Sequence, residues 1–152
     1  MMTYDEVMLR KGSDKFQEYD FKEGYYRVRC AGKYNFAKIN LTLIGDTWYD
    51  RAWDFSCGLA RIRDNGRFNF LRPYGGFLSK TWFDYADDFQ NGYARVRLNG
   101  KWNFIDGNGT YLSDTWYNEV RYGGKGTVEV KFNGKWRTPI SLTTALLRTY
   151  YN

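Results

Sequence analysis

Along much of the chain, apolar and polar residues alternate with a period of two, in short runs broken by glycine. The clearest example is 92–106. Before Asn99-Gly100, Tyr93, Arg95 and Arg97 alternate with Ala94, Val96 and Leu98; after it, Trp102 and Phe104 alternate with Asn103 and Ile105. Period two marks strands, and Asn-Gly between two such runs predicts a tight hairpin. Two registers compete. A two-residue loop pairs Leu98 with Lys101 and Arg97 with Trp102. It places arginines and aromatics on one face, and Val96 with Asn103 on the other. A three-residue loop pairs Arg97 with Lys101 and Val96 with Trp102. Ala94, Val96, Trp102 and Phe104 then share an apolar side, with Arg95 and Asn103 opposite. The second register buries one face without burying charge, so it is the one expected, with Gly100 at positive φ.

The same pattern recurs every 34 residues. Gly24, Gly58, Gly92 and Gly126 are in step. So are the turn glycines Gly32, Gly66, Gly100 and Gly134, the cations Lys33, Arg67, Lys101 and Lys135, and the aromatics Tyr34, Phe68, Trp102 and Trp136. Trp48, Trp82 and Trp116 form a later series. Helical hairpin repeats share this period, but short period-two runs and glycine-rich turns leave no amphipathic stretch of helical length.

Each unit therefore reads as three strands, in the third unit 93–98, 101–106 and 110–117. A second turn falls at 106–109, matched by Arg72-Pro73-Tyr74-Gly75, and a connector at 84–88 leads to the next unit. The predicted fold is all-β: tandem 34-residue three-stranded β-meander repeats stacked into a short array, with short helical caps at the termini. A closed, propeller-like ring is the alternative, though three strands per unit is thin for a blade. The single domain 1–152 divides into an N-terminal cap (1–20), full repeats (21–54, 55–88 and 89–122), a partial repeat (123–138) and a C-terminal cap helix (139–152). Thr3 and Glu6 have capping-box spacing ahead of Val7, Met8 and Leu9, which predicts a short helix or irregular cap ending near Gly12. Leu142, Ala145, Leu146 and Tyr150 recur at helical spacing after Ser141.

Composition adds bounds. Aromatics make up 20% of the 152 residues, too many for a disordered chain. Mean hydropathy is -0.68, which fits a thin, well-exposed protein. The net charge of +6 permits acidic partners without requiring them. No apolar run is long enough to cross a membrane or to serve as a leader, so no membrane association is expected. Two cysteines, Cys30 and Cys57, make no disulfide framework, and the expected setting is cytoplasmic or a virion interior.

The motifs Gly92-Tyr93-Ala94-Arg95-Val96 and Gly100-Lys101-Trp102-Asn103-Phe104-Ile105-Asp106 resemble the WG (Trp-Gly) repeat family of bacterial and phage β-repeat proteins. The resemblance covers about 21–138. It implies a β-rich module that mediates interactions. Asn35, Asn69 and Asn103, and Arg137 in the fourth unit, stand where that family usually has the Gly of Trp-Gly. In the expected register they lie on the polar face.

Catalytic chemistry finds little support. Histidine is absent, which removes His-based triads, bases and metal ligands. Cys30 and Cys57 have no placed base and read as structural thiols. Asp87-Asp88 could form a carboxylate pair, but their place in a connector favours solvated or ion-paired acids. The Asp106-Gly107-Asn108-Gly109 turn lacks the later ligands of a calcium loop. No enzyme activity, cofactor, catalytic residue or metal site is expected.

The sharper feature is a basic ladder. Arg27 and Arg29, Arg61 and Arg63, and Arg95 and Arg97 occupy the same two positions in three units, with Lys101 and its equivalents nearby. Arg binds carboxylate or phosphate with a planar fork and stacks on aromatic rings. These seven residues are the candidate binding site. The competing role is internal, each Arg pairing with a connector Asp or packing over an aromatic ring. The Trp48, Trp82 and Trp116 series could stack on sugars or bases, but recurrence at the repeat period favours core between units. The expected function is a non-enzymatic interaction module with a protein partner. A structural component of a phage particle and a polyanion or nucleic-acid binder are the alternatives.

Overall fold

Every hairpin turn between the second and third strands of a unit has two central residues, both at positive φ where the turn is of the Asn-Gly kind. In the third unit these are Asn99 (φ 51°) and Gly100 (φ 80°). That is a type I′ turn, whose twist matches the flanking strands, and Asn and Gly are the residues that tolerate it. Gly100 thus has the positive φ expected, but in a two-residue loop. Leu98 pairs with Lys101, Arg97 with Trp102, Val96 with Asn103 and Arg95 with Phe104. The three-residue register expected from apolar alternation is therefore wrong: arginines and aromatics share a face. Asn103, expected on the polar side with Arg95, instead lies across from Val96 and is buried.

The computed structural model describes residues 17–139. Within them lie four three-stranded antiparallel sheets, each a simple meander. The first contains β1 (Gln17–Lys22), β2 (Tyr25–Cys30) and β3 (Lys33–Lys38). The second contains β4 (Arg51–Ser56), β5 (Leu59–Asp64) and β6 (Arg67–Leu71). The third contains β7 (Tyr85–Ala86), β8 (Tyr93–Leu98) and β9 (Lys101–Asp106). The fourth contains β10 (Val120–Tyr122), β11 (Val128–Phe132) and β12 (Lys135–Arg137). A 3-10 turn, Gly124–Gly126, is the one helical element among the described residues. The helices expected near 3–12 and 141–151 lie outside the described residues. The expected N-terminal cap ends at residue 20, but β1 already begins at Gln17.

The sheets keep the 34-residue period but begin at Gln17, Arg51 and Tyr85, ahead of the expected repeat starts at 21, 55 and 89. The first strand of the third sheet comes from the connector at 84–88. The segment 110–117, expected as a regular strand, pairs its backbone with β9 only at the bridges Ile105↔Tyr111 and Trp102↔Tyr117. Between those bridges the Asn103 side chain does the work of a strand partner. Its Nδ2 donates to the Ser113 carbonyl at 2.8 Å, and its Oδ1 accepts the Phe104 N–H at 2.8 Å. Asn69 makes the same pair of bonds with Ser79 and Phe70, and Asn35 with Gly45 and Phe36. All three are 0–1% exposed. A buried amide is stable only when its donors and acceptors are met, and here one side chain meets two backbone groups as well as its own.

Contacts divide the chain into two compact units after Trp82. In the first, Phe36, Ile44 and Tyr49 from the first sheet and its following segment pack with Ala52, Phe55, Ala60, Ile62 and Leu71 of the second. In the second, Phe104 and Leu112 pack with Val120, Val128 and Val130. The core of each unit thus lies between successive sheets. Of the tryptophans expected as core between units, Trp82 packs half-buried against the cluster shared by the first two sheets, and Trp48 against Val28, Ala37 and Leu43. Trp82 meets Phe77 edge-on at 5.1 Å, and Trp116 meets Tyr111 at 5.1 Å. Cys30 ends β2 and is buried, while Cys57 is exposed; neither forms a disulfide among the described residues.

Replacing Asn103 with Ala leaves the Phe104 N–H and the Ser113 carbonyl without these partners. The expected loss of stability is about 2–4 kcal/mol, read as a lower urea midpoint with an unchanged m-value.

Candidate interaction surface

The register places every second-column cation directly across from an aromatic residue. Arg29 pairs with Tyr34, Arg63 with Phe68, Arg97 with Trp102 and Lys131 with Trp136. The charged groups lie 5.8, 5.7, 5.9 and 5.7 Å from the ring centroids, in that order. Each is a cation over a π face, a contact of about 0.5–1 kcal/mol at an exposed site. Arg63 and Arg97 are exposed and Arg29 is half-buried. Among the described residues, no carboxylate forms an ion pair with these three arginines. Lys131 differs, holding Glu119 at 3.1 Å.

The first column is tied into the protein. Arg27 donates to the Ala52 carbonyl at 3.0 Å and lies 3.8 Å from the Asp54 carboxylate. Arg61 stacks 3.9 Å over the Trp53 indole. Arg95 donates to Asp87 at 2.8 Å and sits 4.6 Å over Trp102. Local backbone explains why these partners are available. β4 pairs with β5 through Ala52 and then Phe55, with a bulge at Trp53 and Asp54. Asp87 and Asp88 follow at the same place in the third sheet, where regular pairing stops after Ala86. A bulge re-aims side chains, here toward the first arginine column. Asp87 is accordingly ion-paired.

In the fourth sheet the polarity of this contact is reversed. Arg121 occupies the place of Asp87 and Glu129 that of Arg95, and Arg121 Nε donates to Glu129 at 3.1 Å. Arg121 also stacks 3.9 Å over Trp136.

The turn cations have fixed partners too. Lys33 meets Asp50 at 3.0 Å, Arg67 donates to the Trp82 carbonyl at 3.0 Å, and Lys101 donates to Asn118 at 3.2 Å. Asp50 also accepts the Asn65 N–H at 3.0 Å, so it joins the turns of two successive sheets. Its hydrogen bond from Lys33, followed by that from Asn65, holds its carboxyl below the ordinary value. Asp84 caps the next turn in the same way, accepting the Asn99 N–H at 2.7 Å. Two shallow clefts lie beside such turns. One of 290 Å³ is lined by Asp64, Asn65, Arg67 and Trp82. Another of 460 Å³ is lined by Asn118, Glu119, Lys131, Asn133 and Gly134. No group of three or more acidic, Cys or His side chains suited to a metal occurs among the described residues. Nor is any helix among them long and apolar enough to cross a membrane.

The family described as WG containing repeat matches residues 15–34, 49–68 and 83–102. Each match runs from just before a first strand to the start of a third, in the phase of the observed sheets. The chain carries three consecutive WG repeats. No curated protein and no solved structure matches it. Just past each match stands an inward Asn (Asn35, Asn69 and Asn103), at the position where the resemblance puts the Gly of Trp-Gly. The residues that sequence reading missed are Asn35, Asn69 and Asn103. Their recurrence at the 34-residue spacing was visible, and only the register hid their direction.

Two tyrosines, Tyr49 buried and Tyr122 half-buried, give this surface a measurable signature. Burial pushes the Tyr122 hydroxyl up to about 12, and its oxygen accepts the Arg95 N–H at 3.0 Å. Burial likewise pushes Tyr49 up to about 12. A raised value means that each phenol stabilises the fold in its neutral form. That contribution is complete below about pH 10, the unfolded value, and is lost as pH rises through about 12. Tyr122→Phe is expected to remove one component near pH 12 from an absorbance titration of tyrosinate.

Proposed function

We propose that this chain is a non-enzymatic interaction module whose second-column arginines contact an acidic segment of a protein partner. The supporting observation is the difference between the two columns. Arg27, Arg61 and Arg95 are held by backbone carbonyls, carboxylates or an indole within the fold. Arg29, Arg63 and Arg97 rest on aromatic rings with no carboxylate paired to them among the described residues. A ring beneath a guanidinium restrains it without neutralising it, so its outer N–H groups stay available to a carboxylate. Of the candidate residues, Arg27, Arg61, Arg95 and Lys101 then support the fold, while Arg29 and Arg63 in the first compact unit, and Arg97 in the second, each present a guanidinium to a carboxylate. The shallow clefts suit side-chain contact rather than enclosure of a small molecule.

Binding of a labelled octa-glutamate peptide, compared with a single-stranded oligonucleotide of equal charge at low and high salt, tests this reading. Arg63→Gln should weaken the peptide about tenfold, the worth of one charge-assisted hydrogen bond of ~1.4 kcal/mol. Arg61→Gln should instead lower stability. Tighter, steeply salt-dependent binding of the oligonucleotide would replace the protein partner with a polyanion.

A further inference from the structure

The second turn of each unit, between the third strand and the segment that follows, has no role in the surface described so far. In the third unit its sequence is Asp106-Gly107-Asn108-Gly109-Thr110, and it satisfies itself. Asp106 accepts the Asn108 and Thr110 N–H groups, both at 2.9 Å. The first two units place Lys38 and Arg72 where Asp106 stands, and put large apolar residues at the tips: Ile39 in Lys38-Ile39-Asn40-Leu41-Thr42, and Tyr74 in Arg72-Pro73-Tyr74-Gly75-Gly76. Ile39 is 73% exposed and Tyr74 is 86% exposed.

Tyr74 is also strained. Its φ is +122°, in a turn closed by the Gly75 N–H donating to the Arg72 carbonyl at 3.0 Å. With Pro73 second and a positive φ third, this is the turn form that calls for Gly or Asn at the third place. Asn40 and Asn108 occupy that place in the neighbouring repeats and do not need positive φ. A tyrosine has been set where the backbone disfavours it, and the fold recovers almost nothing by burying it. Strain of this kind persists where the side chain serves something other than the fold.

The two turns lie side by side. The Lys38 ammonium is 5.9 Å from the Tyr74 ring centroid. Tyr25, paired across from Lys38, has its hydroxyl raised by burial and then by the nearby Tyr74. The second turn is seated closely: a Cβ at Gly75 would come 3.0 Å from the Ile44 carbonyl oxygen. Ile39 and Tyr74 thus stand on an anchored rim with Lys38 and Arg72 at its base.

We propose that the turns at 38–42 and 72–76 form a docking rim for an extended protein segment in which an apolar side chain is flanked by carboxylates. The apolar residue would sit on Tyr74 and Ile39, and the carboxylates would meet Lys38 and Arg72. This rim lies within the first compact unit and does not depend on the arginine column.

The test uses the full chain and a labelled eight-residue peptide of alternating Glu and Leu, with a Glu-Ser peptide and a Lys-Leu peptide as controls. The Glu-Leu peptide should bind at least tenfold tighter than either control. Tyr74→Gly relieves the strain, so its melting temperature should rise by about 3–8 °C while Glu-Leu binding falls at least tenfold and octa-glutamate binding is unchanged. Ile39→Ser should leave the melting temperature where it is and weaken the Glu-Leu peptide. Equal binding of the three peptides would overturn the proposal, as would a Tyr74→Gly protein that binds normally or gains no stability.

Discussion

A two-residue turn with both residues at positive φ decides which side chains face one another in this protein. Once Asn99 and Gly100 close the hairpin, Arg97 must lie across from Trp102 and Val96 across from Asn103. A shift of one residue would turn every side chain on β9 to the opposite face. The cation–aromatic column and the inward direction of Asn103 both follow from that geometry. Hydrophobic patterning alone pointed to the other register, because it counted Asn103 as polar and so as outward.

Much of the fold was legible because it repeats. A glycine every 34 residues, followed by a cation and an aromatic, signals a β unit irrespective of its register. Phase was harder to read. The first strand of each sheet is short in the third unit, only Tyr85–Ala86, and its sequence is acidic and irregular at Asp87-Asp88. Those are the marks of a connector, and the place where strand pairing stops after Ala86 shares them. The segment 110–117 had the opposite problem: it alternates like a strand, yet its backbone pairs with β9 only at its ends. A side-chain amide fills the gap between, and hydropathy has no signature for that arrangement.

The candidate surface was legible as a set of residues but not as two classes. Sequence placed Arg27 and Arg29 in equivalent roles. The structure separates them, because adjacent odd positions on β2 meet different neighbours: a bulge with its acid on one side, an aromatic ring on the other. Tyr74 was visible only as part of a turn. Its significance rests on a backbone angle, and nothing in the sequence Arg-Pro-Tyr-Gly states that the tyrosine rather than the glycine must take the third place.

A chain of near-identical units risks pairing a strand with the wrong copy of its neighbour as it folds. The contact between Asp87 and Arg95 is remade in the fourth sheet with its charges exchanged, as Arg121 and Glu129. If β10 displaced β7 along β8, Arg121 would meet Arg95; if β7 paired with β11, Asp87 would meet Glu129. Both mistakes set like charges together. The reversal therefore labels these two sheets as different from each other, at a position where their hydrophobic patterns cannot tell them apart.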